Sequence, residues 1–206
     1  MSSSLSVYLL DVAAARALVG SRDDQLFEVL RDRFADGLAR DDDYHGYEIE
    51  KGAPTAEAAL RAVIHGGPFS EDRNHAFQYG YAYERLCSFS GAFLPNDCFT
   101  PHRGDWLSVV DQGLGALGIT AVSVESFSHG GPPDPVPYSF TPGCGEWPPD
   151  RVAQALEQYG AARGADAGSG PASPQEPEVV RAVEQCLDWM RRAKAMPGFG
   201  IVGFRY

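Results

Sequence analysis

Hydrophobic residues recur at helical spacing in several separate segments of the chain. Leu26, Leu30, Phe34 and Leu38 stand four residues apart and predict one amphipathic helix that begins close to Ser21. Comparable stripes bring the expected number of helices to six or seven. The other segments with this pattern are residues 11–20, 52–68, 76–96, 104–118, 150–160 and 178–196.

Polar residues at the start of these stripes predict where the helices begin. Asp11 and Thr55 each stand directly before an apolar stripe, as N-cap residues do. Ser21 and Asp24 have the S-x-x-D spacing of a capping box. We therefore expect helices to start immediately after Asp11 and Thr55, and within a turn of Ser21.

Shorter apolar runs predict three strands, near residues 5–10, 119–124 and 200–206. The last run needs a sheet to join, and the amino-terminal run is a natural neighbour for it. We predict a mainly helical α+β fold, with the helices packed on one side of a small sheet that includes the N- and C-terminal strands. Residues 1–206 should form a single domain.

The tetrapeptide His-Gly-Gly-Pro occurs twice, beginning at His65 and at His129. A histidine followed by two glycines can shape the oxyanion hole of an esterase, but the chain has no G-x-S-x-G nucleophile elbow. The first copy follows a predicted helix, where glycine supplies a left-handed exit. We interpret the motif as the end of a helix followed by a turn.

Prolines dominate residues 127–149. Because proline lacks an N–H and fixes φ, this segment should be neither a helix nor an inner strand, but an ordered excursion over the surface. Trp147 and Phe140 should pack back onto the domain, so that His129, Tyr138 and Trp147 become candidate binding residues. Residues 161–176 contain small and helix-breaking residues and predict a flexible linker inserted within the domain.

Charge and motif content narrow the functional classes. A net charge of -11 argues against binding to nucleic acid and suits a basic protein partner. No apolar run approaches the ~20 residues of a membrane helix, and the amino terminus lacks a signal-peptide pattern, which together predict a cytoplasmic protein with no membrane partner. The four cysteines lack metal-ligand spacing, and no phosphate-loop, dinucleotide or zinc-protease motif occurs. We predict neither a metal nor a cofactor.

The sequence NDCFTPHRGDW, which starts at Asn96, is the best candidate for chemistry. Cys98, His102 and Asp105 have the residue types of an activated thiolate, and Arg103 could also lower the thiol pKa. In the structural alternative, Asp105 caps the next helix, Cys98 is unreactive, and His102 is exposed or bonded to the backbone. Tyr79 and Tyr83, in the preceding predicted helix, would either line a ligand pocket or pack in the core.

Four segments together resemble a family of small uncharacterised actinobacterial proteins. They are VGSRDDQLFEVLRDRF, YGYAYERLCSFSGAFLPN, GGPPDPVP and the ending GIVGFRY. The resemblance extends over most of the chain. It implies no activity, cofactor or catalytic residue.

Two functional hypotheses follow. The first is a cytoplasmic protein-interaction module, with an immunity-like role as one form of it, whose acidic surface and proline-rich aromatic loop engage a basic partner. The second is a small enzyme without a cofactor, or a small-ligand binder, that uses the Cys98 to Asp105 loop. A pocket ringed by Cys98, His102 and the two tyrosines favours the second hypothesis, and a flat acidic face favours the first.

Overall fold

The computed structural model describes residues 2–165 and 176–206. Their helices are α1 (Val12–Leu18), α2 (Asp24–Arg33), α3 (Ala35–Tyr44), α4 (Gly46–Glu50), α5 (Ala56–His65), α6 (Ala76–Ser90), α7 (Trp106–Ala116), α8 (Ser126–His129), α9 (Pro149–Ala165) and α10 (Pro177–Lys194). The strands are β1 (Ser2–Ser3), β2 (Leu5–Asp11), β3 (Ala92–Phe93), β4 (His102–Arg103), β5 (Gly143–Trp147) and β6 (Phe199–Arg205). A short 3₁₀ helix, Arg73–His75, precedes α6.

A four-stranded antiparallel sheet in the order β3-β2-β6-β5 forms the centre of the fold. β2 and β6 pair along their whole length, with Leu5 opposite Arg205 and Asp11 opposite Phe199. The prediction that the N- and C-terminal strands share a sheet is therefore confirmed. A separate two-stranded ladder joins β1 to β4, with Ser3 opposite His102.

The strand predicted at residues 119–124 is wrong, although its hydrophobic residues Ile119, Val122 and Val124 are buried. The carboxylate of Asp111 accepts hydrogen bonds from the Val124 N–H at 2.6 Å and from the Ser123 hydroxyl, also at 2.6 Å. Asp111, which lies in α7, thus accepts hydrogen bonds that a neighbouring strand would otherwise accept from this segment. The segment therefore packs as irregular chain.

The third long strand lies within the proline-rich segment instead. Pro142 and Pro148 flank β5, which itself contains no proline and so can pair with β6 as an edge strand. The first residues of the segment are also helical, in α8. The prediction of an extended surface excursion over residues 127–149 is wrong at both ends.

Helices cover both faces of the sheet, so the prediction of helices on one side is also wrong. Leu5, Val7 and Leu9 of β2 pack into one core with α7 to α10, whereas Tyr8 and Leu10 pack into a second core with α1 to α3, α5 and α6. From Leu5 to Leu10, every position of β2 except Ser6 is hydrophobic. That pattern is typical of a strand buried on both faces.

The N-caps predicted at Asp11 and Thr55 are confirmed. The carboxylate of Asp11 accepts from the Ala14 N–H, and the hydroxyl of Thr55 accepts from the Ala58 N–H. Asp23, rather than Ser21, caps α2, and the single helix expected there is divided at Phe34 into α2 and α3. Gly66 ends α5 with φ +76, which confirms the first His-Gly-Gly-Pro as a helix end.

The second His-Gly-Gly-Pro begins at the last residue of α8, where the chain passes very close to β5. A Cβ built on Gly145 would lie 2.1 Å from the backbone oxygen of Ser126. Only glycine can stand at this position without moving α8 away from the sheet. This copy also marks the end of a helix.

The carboxyl end of α9 overlaps the predicted linker. α9 continues to Ala165 and so occupies the first residues of the predicted linker, while residues 166–175 of that linker lie outside the described residues. Within the described ranges, no helix is both long enough and apolar enough to cross a membrane.

Candidate functional site

The Cys98 to Asp105 loop is held firmly against β2 and α10. The Thr100 hydroxyl accepts from the Leu5 N–H at 3.2 Å, and Gln185 Oε1 accepts from the Cys98 N–H at 3.1 Å. The indole N–H of Trp106 donates to the Cys98 carbonyl at 2.8 Å. These bonds hold the backbone of the loop in place, and the loop forms one wall of a cleft.

The cleft has a volume of about 500 Å³. Its lining residues are Ser2, Cys98, Pro101, His102, Arg103, Trp106 and Glu178. Three of the predicted site residues, Cys98, His102 and Arg103, therefore line one cavity. Asp105 lies outside it and lines a smaller neighbouring cavity of about 100 Å³, which His102 also borders.

His102 is buried, with 6% of its surface exposed, because its pairing with Ser3 in the small ladder places it inside while Arg103 points to solvent. Neither ring nitrogen has a hydrogen-bond partner within residues 2–165 and 176–206. Burial, followed by the charge of Arg205, lowers the pKa of His102. The imidazole is neutral at pH 7, and the prediction that it is exposed or bonded to the backbone is wrong.

The geometry does not assemble an activated thiolate. Burial raises the pKa of the Cys98 thiol; Asp97 raises it further, and only Arg181 opposes these effects. Because the His102 ring nitrogens have no partner in the described part of the chain, the imidazole bonds to neither Cys98 nor Asp105. Asp105 stands at the N-cap of α7, but its side chain accepts no capping hydrogen bond.

Tyr79 and Tyr83 lie on the other side of the sheet from this cleft. Both belong to the core formed by α1 to α3, α5 and α6, with 3% and 1% of their surfaces exposed. The Tyr79 hydroxyl accepts from the Ser70 N–H at 2.8 Å. These two tyrosines occupy the core position that the sequence left open as one alternative.

The candidate residues of the proline-rich segment separate into buried and exposed groups. Trp147 is 1% exposed; its ring stacks on Phe127 at 4.7 Å, and its indole N–H donates to the Ser123 carbonyl at 2.8 Å. Tyr138 is exposed and meets Phe140 edge to face at 5.3 Å. Phe140 is 79% exposed, so the prediction that it packs back onto the domain is wrong. His129 is exposed beside the smaller cavity.

The negative charge is concentrated in one part of the chain. Residues 23–50, which form α2 to α4 and are called here the acidic segment, carry ten acidic and three basic residues, a net charge of -7 out of -11 for the whole protein. Two tyrosines of this segment, Tyr44 and Tyr47, are 83% and 64% exposed. The acidic segment therefore also presents aromatic side chains to solvent.

A second cleft, which the sequence reasoning missed, surrounds Glu84 of α6. Its volume is about 320 Å³, and its lining residues are Tyr8, Phe34, Gly37, Asp41, Tyr81, Glu84, Arg85, Ser88 and Tyr206. The hydroxyls of Tyr8 and Tyr206 both donate to the Glu84 carboxylate. One signal was visible in the sequence: Glu84 and Arg85 are the only charged residues between Ala76 and Ser90.

Comparison with known proteins gives one match. A family model described as a domain of unknown function (DUF7691) matches residues 1–206. The chain belongs to this family. No curated protein and no solved structure matches it. The DUF7691 assignment thus agrees with the predicted uncharacterised family and transfers no activity to either cleft.

The described part of this DUF7691 chain contains no cluster of side chains suited to bind a metal ion. No group of three histidine, cysteine, aspartate or glutamate side chains there could hold a metal ion. The four cysteines are free thiols, and three of them are buried. The two clefts and the acidic segment are therefore the features from which function must be argued.

Proposed function

We propose that this protein is a protein-interaction module that binds a basic protein partner through the acidic segment. The observation that carries the proposal is the presence of exposed Tyr44 and Tyr47 within a segment of net charge -7. Exposed aromatic side chains supply apolar contact area at interfaces, while surrounding charge speeds encounter and selects partners of opposite sign. An immunity-like role, in which a small acidic protein covers a basic partner, is one form of this function.

Both tyrosines make local contacts that order them before any partner binds. The ammonium group of Lys51 lies 4.0 Å from the centre of the Tyr47 ring. Tyr44 meets His45 edge to face at 4.8 Å, and His45 in turn contacts Phe77 of α6 at 4.5 Å. Side chains ordered in advance lose less conformational entropy on binding, which favours affinity.

Proteins encoded by the genes beside this one are the partners to test. Each would be co-expressed with the wild-type chain, with a Tyr44→Ser/Tyr47→Ser variant and with a Val180→Ser/Met196→Ser control, whose two residues are also exposed. We expect a basic protein to co-purify with the wild type and the control, and its affinity to fall at least about tenfold in the Tyr44/Tyr47 variant and with added salt. Equal binding by all three chains, or no basic partner among the products, would contradict the proposal.

A cytoplasmic location and an actinobacterial source belong to the same proposal. Free thiols at all four cysteines suit a reducing compartment. Among seventeen basic residues only Lys51 and Lys194 are lysines, a bias towards arginine that suits such a source.

A second candidate function, small-ligand binding, is favoured by the buried imidazole of His102 in the larger cleft. A neutral imidazole offers one donor and one acceptor, and burying both without partners is unfavourable. A small polar molecule with a donor and an acceptor would satisfy both nitrogens, while Trp106 supplies an apolar wall. This is the binding form of the second sequence hypothesis. Its enzymatic form needs a thiolate that the Cys98 surroundings do not favour.

The probes for this site are acetamide and benzamide, which each carry a donor beside an acceptor. We expect at least one of them to raise the melting temperature of the wild type and of a His129→Phe control, and to have no effect on His102→Phe. A shift that persists in His102→Phe, or no shift with any probe, would exclude His102 as the recognition group.

A further inference from the structure

The strongest additional feature of the molecule is the cleft around Glu84, because it combines aromatic walls with two carboxylates. Tyr8, Tyr81, Tyr206 and Phe34 contribute aromatic rings, and Tyr81 stacks on Tyr206 with ring centres 6.0 Å apart. Asp41 and Glu84 contribute the carboxylates. Aromatic faces and carboxylates both attract organic cations.

We propose that this cleft binds an alkylammonium group, with Glu84 as its counter-ion and the tyrosine rings as its walls. The cleft adjoins the acidic segment, which supplies Phe34, Gly37 and Asp41 to its lining, but the proposal uses neither Tyr44 nor Tyr47 and does not depend on the interaction function. The same chemistry is offered by a free alkylamine and by a lysine side chain of a protein.

The charge arrangement leaves Glu84 available for such a ligand. Arg85 is the cation that lines the cleft, and its guanidinium forms an ion pair with Asp41. Glu84 forms no ion pair with any residue in the described ranges, and the groups that bond to its carboxylate are the neutral hydroxyls of Tyr8, Tyr206 and Ser6. A carboxylate has about four acceptor sites, so the three hydroxyls leave one for a ligand N–H.

The dimensions suit a small ligand. A volume of about 320 Å³ is at the lower end of the range for small-molecule sites, and is suitable for a short alkyl chain with a charged head. An anion would meet Asp41 and Glu84, with Arg85 already engaged by Asp41. The arrangement therefore selects the sign of the ligand charge.

Protonation of Glu84 should control binding. Burial raises the pKa of Glu84 to about 7; Asp41 also raises it, while the Tyr8 hydroxyl, Arg85 and Ser6 lower it. The other titratable groups that line the cleft are Tyr81, whose pKa burial raises to about 12, and Tyr206. Because only the ionised carboxylate attracts an ammonium group, affinity should rise between about pH 6 and pH 8.

The test is a titration of the full chain with n-butylammonium, followed by the NMR signals of the tyrosine rings at pH 8. Glu84→Gln keeps the size of the side chain and an acceptor for the tyrosine hydroxyls, and should reduce affinity at least about tenfold through loss of the charge-assisted hydrogen bond. Asp43→Asn, the matched control, removes the same charge from an exposed position and should change affinity less than about twofold.

Two further arms make the result decisive. Butanoate, which has a similar chain and the opposite charge, should not bind. A short peptide with one central lysine should bind at least as well as butylammonium if the natural ligand is a protein side chain, and more weakly if it is a free amine.

If Glu84→Gln does not fold, Tyr81→Leu, which removes one aromatic wall, should weaken butylammonium binding several-fold. Butanoate binding as tight as that of butylammonium, no butylammonium binding to the wild type, or unchanged binding to a folded Glu84→Gln or Tyr81→Leu chain would overturn the proposal.

Discussion

Replacement of Trp147 by alanine should destabilise the fold strongly, because this side chain joins an edge strand to the core. It is 1% exposed, stacks on Phe127 with ring centres 4.7 Å apart, and lies 6.3 Å from the Trp189 ring centre. Truncation of a buried aromatic residue to alanine costs about 3 to 5 kcal/mol in free energy of unfolding. Since no charge is involved, the loss should depend little on salt or pH.

A conservative replacement separates packing from hydrogen bonding. Trp147→Phe keeps a stacked ring but loses the bond from the indole N–H to the Ser123 carbonyl. That carbonyl also accepts from the Ser126 hydroxyl at 2.5 Å, so it is not left without a partner. We therefore expect a cost of about 1 to 2 kcal/mol for Trp147→Phe, well below that of the alanine variant.

The assay is urea unfolding followed by far-UV circular dichroism, which does not depend on the removed fluorophore. Phe140→Ala is the matched control, since it truncates an aromatic residue of the same segment that is 79% exposed; it should stay within about 0.5 kcal/mol of the wild type. A loss below about 1 kcal/mol for Trp147→Ala, or an equal loss for Phe140→Ala, would refute the assignment of Trp147 as the anchor.

Three other predictions concern different parts of the molecule. Burial raises the pKa of Glu84 from 4.5 to about 7, so the folded chain holds this proton more tightly than the unfolded chain. The free energy of unfolding should therefore fall by up to about 3 kcal/mol as pH rises from about 4.5 to 7. In urea titrations across this range, Glu84→Gln should remove this part of the pH dependence. Gly145→Ala should cost more than about 2 kcal/mol because its Cβ would meet the Ser126 backbone at 2.1 Å, whereas Gly115→Ala in α7, with nothing within 4 Å, should stabilise the chain by up to about 1 kcal/mol in the same unfolding assay. Cys98 should react with iodoacetamide at pH 7 more slowly than a small free thiol, because burial raises its pKa, yet faster than the buried Cys87, Cys144 and Cys186. Mass spectrometry of the labelled peptides measures these rates, and modification of Cys98 faster than that of a small free thiol would indicate a reactive thiolate.

Local signals in the sequence were sufficient for the starts of α1 and α5 and for the end of α5 at Gly66. Asp11 and Thr55 cap as expected because an N-cap depends only on residues within one turn. The strand predictions failed where residues distant in the sequence determine the local structure. β5 has glycines at alternate positions and no apolar alternation, and it is a strand because β6 pairs with it while α8 packs against its backbone. Residues 119–124 show the reverse case, since Asp111 satisfies their backbone from α7.

The two clefts show the same limit at the level of function. The three loop residues Cys98, His102 and Arg103 could be grouped from the sequence because they are neighbours in it. The burial of His102, however, depends on pairing with Ser3, almost one hundred residues earlier. Glu84 meets Tyr8 and Tyr206, which come from nearly opposite ends of the chain. Sequence spacing carries no information about such contacts.

The position of β6 between β2 and β5 has a consequence for synthesis of the protein. Leu5 pairs with Arg205 and Asp11 with Phe199, so the ribosome makes β2 long before its partner β6. Until then β2, apolar on both faces, has no central neighbour, and contacts so distant in sequence form slowly. While residues 12 to 198 are being made, the edge of β2 that β6 later covers stays open to other chains, and a chaperone that holds nascent chains would protect it.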